Sequence, residues 1–453
     1  MNASASAYTV PVDADAIVIG AGAAGLAAAR HLAQQSFRVT VVEARDRVGG
    51  RVWSRQIGAA ATRAELGAEF IHGPADQTML LLREAGLTAV ATGSESWVCD
   101  SGRGLIRDTQ DFSAAAKILE GARESASDES AEQYLQRLAR DDATRQTAEA
   151  AREFIEGFDA ADPAIASARA IADELHSGVD SQSARPVGGY GPVFELLRRA
   201  CDAAGVQMML STRVQRVSWR GDAVAIEIAD AEGTLRTLQS QAAIVTLPVG
   251  VVRYKGDRSR VTFDPDLPGT KREALLKIEM GSVVKVVLSF RTTFWERILD
   301  GRYRDAAFFR CNGQAFAAYW TQWPQHSNSI VAWAGGPKAA ALRGFSEDAL
   351  IALSVDGFGA LLKDRHLVRQ EFEGGTMHDW NSDPFARGAY SYVAVGGSDA
   401  RAKLAASVGG TLFFAGEATS SDGQGGTVNG ALVTGERAAA EAAAALHARG
   451  DAR

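Results

Sequence analysis

Lys285 stands inside the run Val283, Val284, Val286, Val287, Leu288. A lysine in a strand that is apolar on both faces carries a charge that is expensive to desolvate. Either the amine sits at a strand edge and snorkels to water, or it is held inside, where its pKa falls and it can serve in proton transfer. The valines on both sides favour the interior. A second chemical feature is glycine spacing. Gly20, Gly22 and Gly25 stand in GxGxxG order, and Glu43 follows about twenty residues on. The first glycine permits a tight turn, the second lets backbone approach a pyrophosphate, and the third lets helix pack on strand. Glu43 can accept hydrogen bonds from a ribose diol, and a helix N-terminus offers N–H groups to phosphates. Together they predict a bound adenine dinucleotide; a glycine-rich turn in an ordinary βαβ unit is the alternative.

The elements that must position these groups are legible around them. Residues 16–19 are an apolar run, an alanine-rich helical pattern follows the glycines, and 39–42 is a β-branched run ending on Glu43. A second glycine turn closes the unit at Gly49, Gly50 and Arg51. In AELGAEFIHGPAD (64–76), Gly67 and Ala68 allow another close backbone approach. His72 lies just beyond, as a reactive group or as a hydrogen-bonded loop histidine. Residues 77–180 read as a mainly helical insertion, with apolar pairs such as Tyr134 and Leu135, then Phe154 and Ile155. Its charges read as solvated faces. Asp173 and Glu174 are conceivable cation-steering acids, but no pattern selects them.

A glycine-rich turn and an amphipathic helix occupy 185–205, a hairpin 214–228, and a buried strand 242–247. A short helix is expected at 271–279, strands at 281–290, 315–320 and 330–333, and a helix at 347–362. The segment 389–393 and a buried strand at 411–414 precede a glycine-rich loop that opens a long alanine-rich helix.

At 453 residues the chain suggests two or three domains. The net charge of −7 argues against a nucleic-acid partner and is compatible with a cationic substrate. Cys99, Cys201 and Cys311 are far apart and match neither a disulfide framework nor a metal-ligand spacing, which suits a reducing compartment. No apolar run reaches membrane-spanning length, and the N-terminus lacks the basic and hydrophobic parts of a leader. A cytoplasmic protein without a membrane partner or a metal is expected.

With these motifs assembled, the chain resembles the flavin-containing amine oxidases: monoamine oxidases, polyamine oxidases and the lysine-specific histone demethylase. The likeness rests on IVIGAGAAGL…VVEARDRVGGR, TLPVGVV, GSVVKVVLSF, the segment from Trp380 through DPFARGAYSY, and FFAGEATS…GGTVNGALVTGERAA, in that order. It implies an α/β fold (α+β overall), with a Rossmann-like FAD-binding domain of the glutathione-reductase/amine-oxidase type. That domain would comprise 1–76, 191–272 and 390–453. An interleaved substrate domain of mixed sheet plus helices would comprise 77–190 and 273–389.

The resemblance also implies roles. Glu43 would hold the adenosine ribose, Arg45, Gly50 and Arg51 would approach the ribose, pyrophosphate and ribityl chain, and the Val214 backbone would meet the adenine. Gly67 and Ala68 would pass close to the isoalloxazine, and Glu417 would reach the ribityl–pyrophosphate region. Gly426, Thr427 and Val428 would aim N–H groups at the pyrimidine edge of the flavin, where a helix N-terminus stabilises negative charge. Ala24, Ala44, Trp380 and Gly416 fall in the same cofactor-binding segments. Lys285 would hold a water against flavin N5 and assist proton transfer or oxygen activation. Tyr390 would flank the substrate amine, with Thr427 where monoamine oxidases carry a second tyrosine. His72 would face the substrate, as in animal polyamine oxidases. Ala389 replaces the cysteine that binds flavin covalently in monoamine oxidases, so FAD should be non-covalent.

The implied activity is FAD-dependent amine oxidation: hydride transfer from the α-carbon of a neutral amine, imine hydrolysis, and reoxidation by O2 to hydrogen peroxide. A polyamine or other secondary amine is the first choice of substrate. Monoamines, cyclic amines and L-amino acids follow; no arginine for an amino-acid carboxylate stands within 64–76. The histone demethylase reading is weakened because the chain has no long coiled-coil insertion. Two other classes stay open: an NAD(P)-dependent dehydrogenase, and a catalytically silent flavin-binding interaction protein. A monomer or homodimer is expected.

Overall fold

The computed structural model describes residues 13–57, 62–100, 103–108, 113–125, 127–256 and 259–450. The N-terminal stretch read above as lacking a leader lies, up to residue 12, outside the described residues.

The strand Ala16–Ile19 runs parallel to Val39–Val42 on one side and to Ala242–Val245 on the other. Gln207–Met209 and Leu412–Phe414 complete a five-stranded parallel sheet. A parallel sheet is covered on both faces, which is why its central strands are buried throughout and apolar except for Thr40. Side chains alternate between the covers. Ala16 and Val18 face the helices Ala23–Gln34, Gly191–Ala203 and Val428–Gly450; Ile17 and Ile19 face a second sheet. That sheet has the order Leu235–Ser240, Ala223–Ala229, Arg213–Arg220, Thr262–Asp264. Helix meets strand end at one glycine and helix meets helix at another. A Cβ on Gly25 would lie 1.9 Å from the Gly20 carbonyl oxygen, and one on Gly435 would lie 2.2 Å from that of Ala24.

The second large sheet has seven strands, in the order Phe372–Met377, Val283–Phe290, Ser329–Gly335, Ala318–Trp320, Phe308–Arg310, Ser96–Asp100, Gly104–Asp108. In the strand Val283–Phe290, Val284, Val286 and Leu288 enter the core under the helix Glu347–Leu361, while Val287 packs with Leu66, Trp320 and Val331 on the other face. Lys285 shares the parity of Val287 and so belongs to this second face.

Two expectations need correction. The insertion is helical only in part: Ala89–Ala91, Ser96–Asp100 and Gly104–Asp108 are strands. They are short, and their period-2 patterning is set by the sheet edge they extend. The helices Ser113–Glu120, Ala131–Leu138, Asp142–Gly157 and Ala168–His176 do form a core of their own around Leu135, Phe154, Ile155 and Leu175. The cysteines also differ from the reading. Cys99 and Cys311 form a disulfide with Cα atoms 5.1 Å apart. The parallel pairing of Ser96, Trp97 and Val98 with Phe308, Phe309 and Arg310 brings the next residues, Cys99 and Cys311, side by side. Separation along the chain says little about distance across a sheet. Among the described residues, no helix is long and apolar enough to cross a membrane.

Candidate cofactor and substrate site

A cavity of about 1040 Å³ opens where Ala16–Ile19, Val39–Val42 and Ala242–Val245 end, the carboxyl edge at which parallel sheets bind ligands. Its floor is the glycine turn. Gly20 has φ 108°, and a Cβ there would lie 2.6 Å from Thr246 Oγ1. Gly22, Ala24 and Gly50 line the wall, whereas Gly25 does not; its place is the helix–strand contact. Glu43 is buried, and its two oxygens accept from the N–H groups of Ala21 at 2.7 Å and Arg45 at 2.8 Å. Carboxylate oxygens each take more than one bond, so capacity for a diol remains. Burial raises the Glu43 pKa, against the pull of those backbone donors. Ala44 and Val214 complete this end.

Arg45 is held bidentate by Asp383 at 2.8 and 2.9 Å, and Asp383 also bonds His378 Nε2 at 2.6 Å. Burial works against that carboxylate, but His378 and Arg45 hold it well below its usual range. In the sequence Asp383 is one acid of the DPF segment, with nothing beside it to show its task. Arg51 donates to Glu417 Oε1 at 2.7 Å and to the Ala389 carbonyl at 2.8 Å. Glu417 Oε2 accepts from Ser391 Oγ at 2.6 Å and from the Gly426 N–H at 3.1 Å. Glu417 thus braces Arg51 and the glycine loop. The Gly426 N–H expected to face the flavin is already spent on it. Thr427 Oγ1 accepts from the Gly430 N–H at 2.9 Å and donates to the Gln424 carbonyl at 2.8 Å, so its hydroxyl caps the last helix. Thr427, Val428 and Gly416 all line the cavity.

At the far end, Gly67 lies under Trp380. A Cβ there would stand 1.9 Å from the Arg51 carbonyl oxygen and 3.2 Å from Trp380 Cζ2. The Trp380 indole N–H donates to the Leu66 carbonyl at 2.8 Å, and Ala68 follows in the wall. Lys285, 2% exposed, is not solitary in its apolar strand: it donates to Glu69 Oε2 at 2.7 Å and to the Gly67 carbonyl at 3.1 Å. Burial alone would raise the Glu69 carboxyl, but Lys285 and Arg185 bring it to about 2. Glu69 was missed in the sequence, where it is one acid in GAEFIHGP.

His72 lies between the rings of Phe70 and Phe158, with centroids at 5.7 and 5.0 Å. Burial lowers its pKa to about 4, so it is neutral at pH 7. Tyr390 donates its hydroxyl to the Phe158 carbonyl at 2.6 Å and is buried strongly enough to stay protonated. Beside it stand Asp159 and Glu174, both in the cavity wall. Asp159 Oδ2 is buried without a hydrogen-bond partner, and burial with the neighbouring Glu174 raises the Asp159 pKa. Asp173, the other acid named from the sequence, points outward to Arg123 at 2.9 Å. Among arginines near this end, Arg185 is ion-paired with Glu69 and Arg310 with Asp108.

The glycine cradle, the diol-ready carboxylate and a cavity at the upper end of small-molecule pocket sizes fit an adenine dinucleotide with room for a second ligand. Known proteins point the same way. The chain is 26% identical to lysine-specific histone demethylase 2 of Homo sapiens over 98% of its own length and 55% of the relative's. It therefore spans little more than half of that protein. Polyamine oxidase 4 of Oryza sativa subsp. japonica is 27% identical over 94% of this chain and 88% of the relative. A putrescine oxidase bound to putrescine shares the fold, with a TM-score of 0.78 at 22% identity, covering 95% of this chain and 99% of that one. Cyclohexylamine oxidase from Brevibacterium oxydans IH-35A does too, with a TM-score of 0.77 at 21% identity over 96% and 99%. The family described as flavin containing amine oxidoreductase matches residues 23–443, and the chain belongs to it.

Proposed function

We propose that the chain is an FAD-dependent amine oxidase whose preferred substrate is a diamine, polyamine or related secondary amine, with FAD held non-covalently. The observation that carries the substrate reading is the acid wall: Asp159 Oδ2, buried and without a partner, beside Glu174 in the cavity that Lys285 and Tyr390 also line. Burial and Glu174 raise the Asp159 pKa although Arg401 pulls the other way, and a cation bound beside it would favour the ionised form. A second ammonium of the substrate supplies one. The residues at 1–76, 191–272 and 390–453 serve as the cofactor domain in this reading, and the rest as the substrate domain.

FAD, held by the turn at Gly20 and Gly22, Glu43 and Arg51, would supply a two-electron acceptor that O2 would regenerate with release of hydrogen peroxide. The chain's own residues prepare that step. Phe70, Phe158 and Trp320 exclude water around the reacting carbon. Neutral His72 avoids placing a like charge beside an amine and can accept its hydrogen bond. Tyr390, fixed through its hydroxyl, gives the amine a rigid aromatic face. Lys285 offers an N–H donor at the wall beside Gly67.

The same aromatic wall, with Phe154 and Trp333, suits an apolar monoamine or cyclic amine, which is the second reading. Peroxide release from the FAD-loaded protein across polyamines, monoamines, cyclic amines and amino acids decides between them. The highest kcat/KM should fall on a substrate with two nitrogens. Activity confined to cyclic monoamines would favour the second reading, and no peroxide with FAD bound would favour a silent flavoprotein.

A further inference from the structure

An ammonium has three N–H donors, and two of those on Lys285 have partners: Glu69 Oε2 at 2.7 Å and the Gly67 carbonyl at 3.1 Å. The third is left on a side chain that lines the cavity. Glu69 is itself held from three directions. Its Oε1 accepts from Arg185 Nε at 2.9 Å, Trp320 Nε1 at 3.0 Å and Gln322 Nε2 at 3.1 Å. These donors come from the strand Ser183–Pro186, the strand Ala318–Trp320 and the loop after it. One oxygen therefore anchors the carboxylate to the framework, and the other carries the lysine.

We propose that Glu69 is a positioning residue for Lys285: it fixes the direction of the lysine head group, so that the third N–H is presented to the flavin side of the cavity. The cost of burying Glu69 is high unless the anchoring matters, because four donors converge on one carboxylate that is 6% exposed. The other charged groups facing Lys285 are Glu65, buried on the preceding strand, and, through Glu69, Arg185. Neither holds the lysine head: Glu65 Oε1 is taken by Ser54 and the Tyr190 N–H, its Oε2 is without a hydrogen-bond partner and Lys285 directs its bonds to Glu69 and Gly67, and Arg185 is a cation. The inference rests on the cavity holding a flavin but not on which amine is oxidised.

The test needs no amine. The bound flavin is reduced with dithionite and mixed with O2, and its reoxidation rate is followed in wild type, Glu69→Gln, Lys285→Met and the double variant. Lys285→Met should slow reoxidation, and Glu69→Gln should slow it by about 10-fold or more, because the N–H is no longer aimed. The double variant should match Lys285→Met alone. A purely structural Glu69 would lower the melting temperature and leave the rate at the wild-type value. Should Glu69→Gln fail to load FAD, Glu69→Asp, which keeps the charge but withdraws it from the lysine, should slow reoxidation in the same direction. A wild-type rate in Glu69→Gln or in Lys285→Met, or a double variant slower than Lys285→Met, overturns the proposal. A protein that binds no flavin overturns the function proposed above as well, so the two failures are distinct.

Discussion

Lys285 and Glu69, 216 residues apart, form a buried ion pair 2.7 Å long on the cavity wall. The strand Val283–Phe290 can carry a lysine among valines because that carboxylate awaits it on the cavity side. Lys285→Met removes the ammonium and leaves Glu69 with Arg185, Trp320 and Gln322, so folding should persist. Flavin reduction, reoxidation or both should slow by about 10²-fold, the lower range for a lost proton-transfer group. Stopped-flow traces of each half-reaction decide it, and wild-type rates in both would remove Lys285 from the chemistry.

Asp159 and Glu174 should discriminate by the second nitrogen of the substrate. Asp159→Asn and Glu174→Gln are each expected to lower kcat/KM for a diamine by about 10- to 100-fold, the scale of a charged hydrogen bond. A monoamine of equal length should lose far less. Equal losses for both substrates would mean that the pair shapes the cavity without reading charge.

His72 predicts a pH dependence of stability. Its ring titrates near 6.5 when unfolded, and burial lowers that to about 4 in the fold. Below 6.5 the unfolded chain therefore takes up a proton that the folded chain refuses, and stability falls with pH until about 4. His72→Phe removes this contribution. Melting temperatures of wild type and variant should run parallel above pH 6.5, with wild type losing ground to the variant between 6.5 and 4. Parallel curves throughout would mean that the histidine is protonated in place.

The cysteines bear on how FAD is held. Ala389 offers no thiol, Cys99 and Cys311 are bonded to each other, and Cys201 is buried with its Sγ 3.6 Å from the Leu26 carbonyl oxygen. Acid precipitation should leave all of the flavin in the supernatant. Yellow colour remaining on the washed pellet would contradict non-covalent binding.

Four strands of the parallel sheet were legible because each is a short apolar or β-branched run, a signal contained in the segment itself; the fifth, Gln207–Met209, carries no such run and was not read. Glu174 was also within reach: it lies three residues after Ile171, whereas its neighbour Asp173 turns about 100° away to the exposed side. The Cys99–Cys311 bond and the task of Glu69 were not legible, since each depends on a strand hundreds of residues away. The expected roles of Glu417 and Gly426 changed for a related reason. Their mutual bond consumes groups that the sequence leaves free.

The central claim, amine oxidation at a flavin beside Lys285 and Tyr390, is tested most directly by anaerobic mixing of the FAD-loaded protein with a diamine while flavin absorbance is recorded. The account predicts full bleaching within the enzyme's turnover time, faster than with a monoamine of the same length. Flavin that stays oxidised with every amine tried, in protein that has FAD bound, would contradict it.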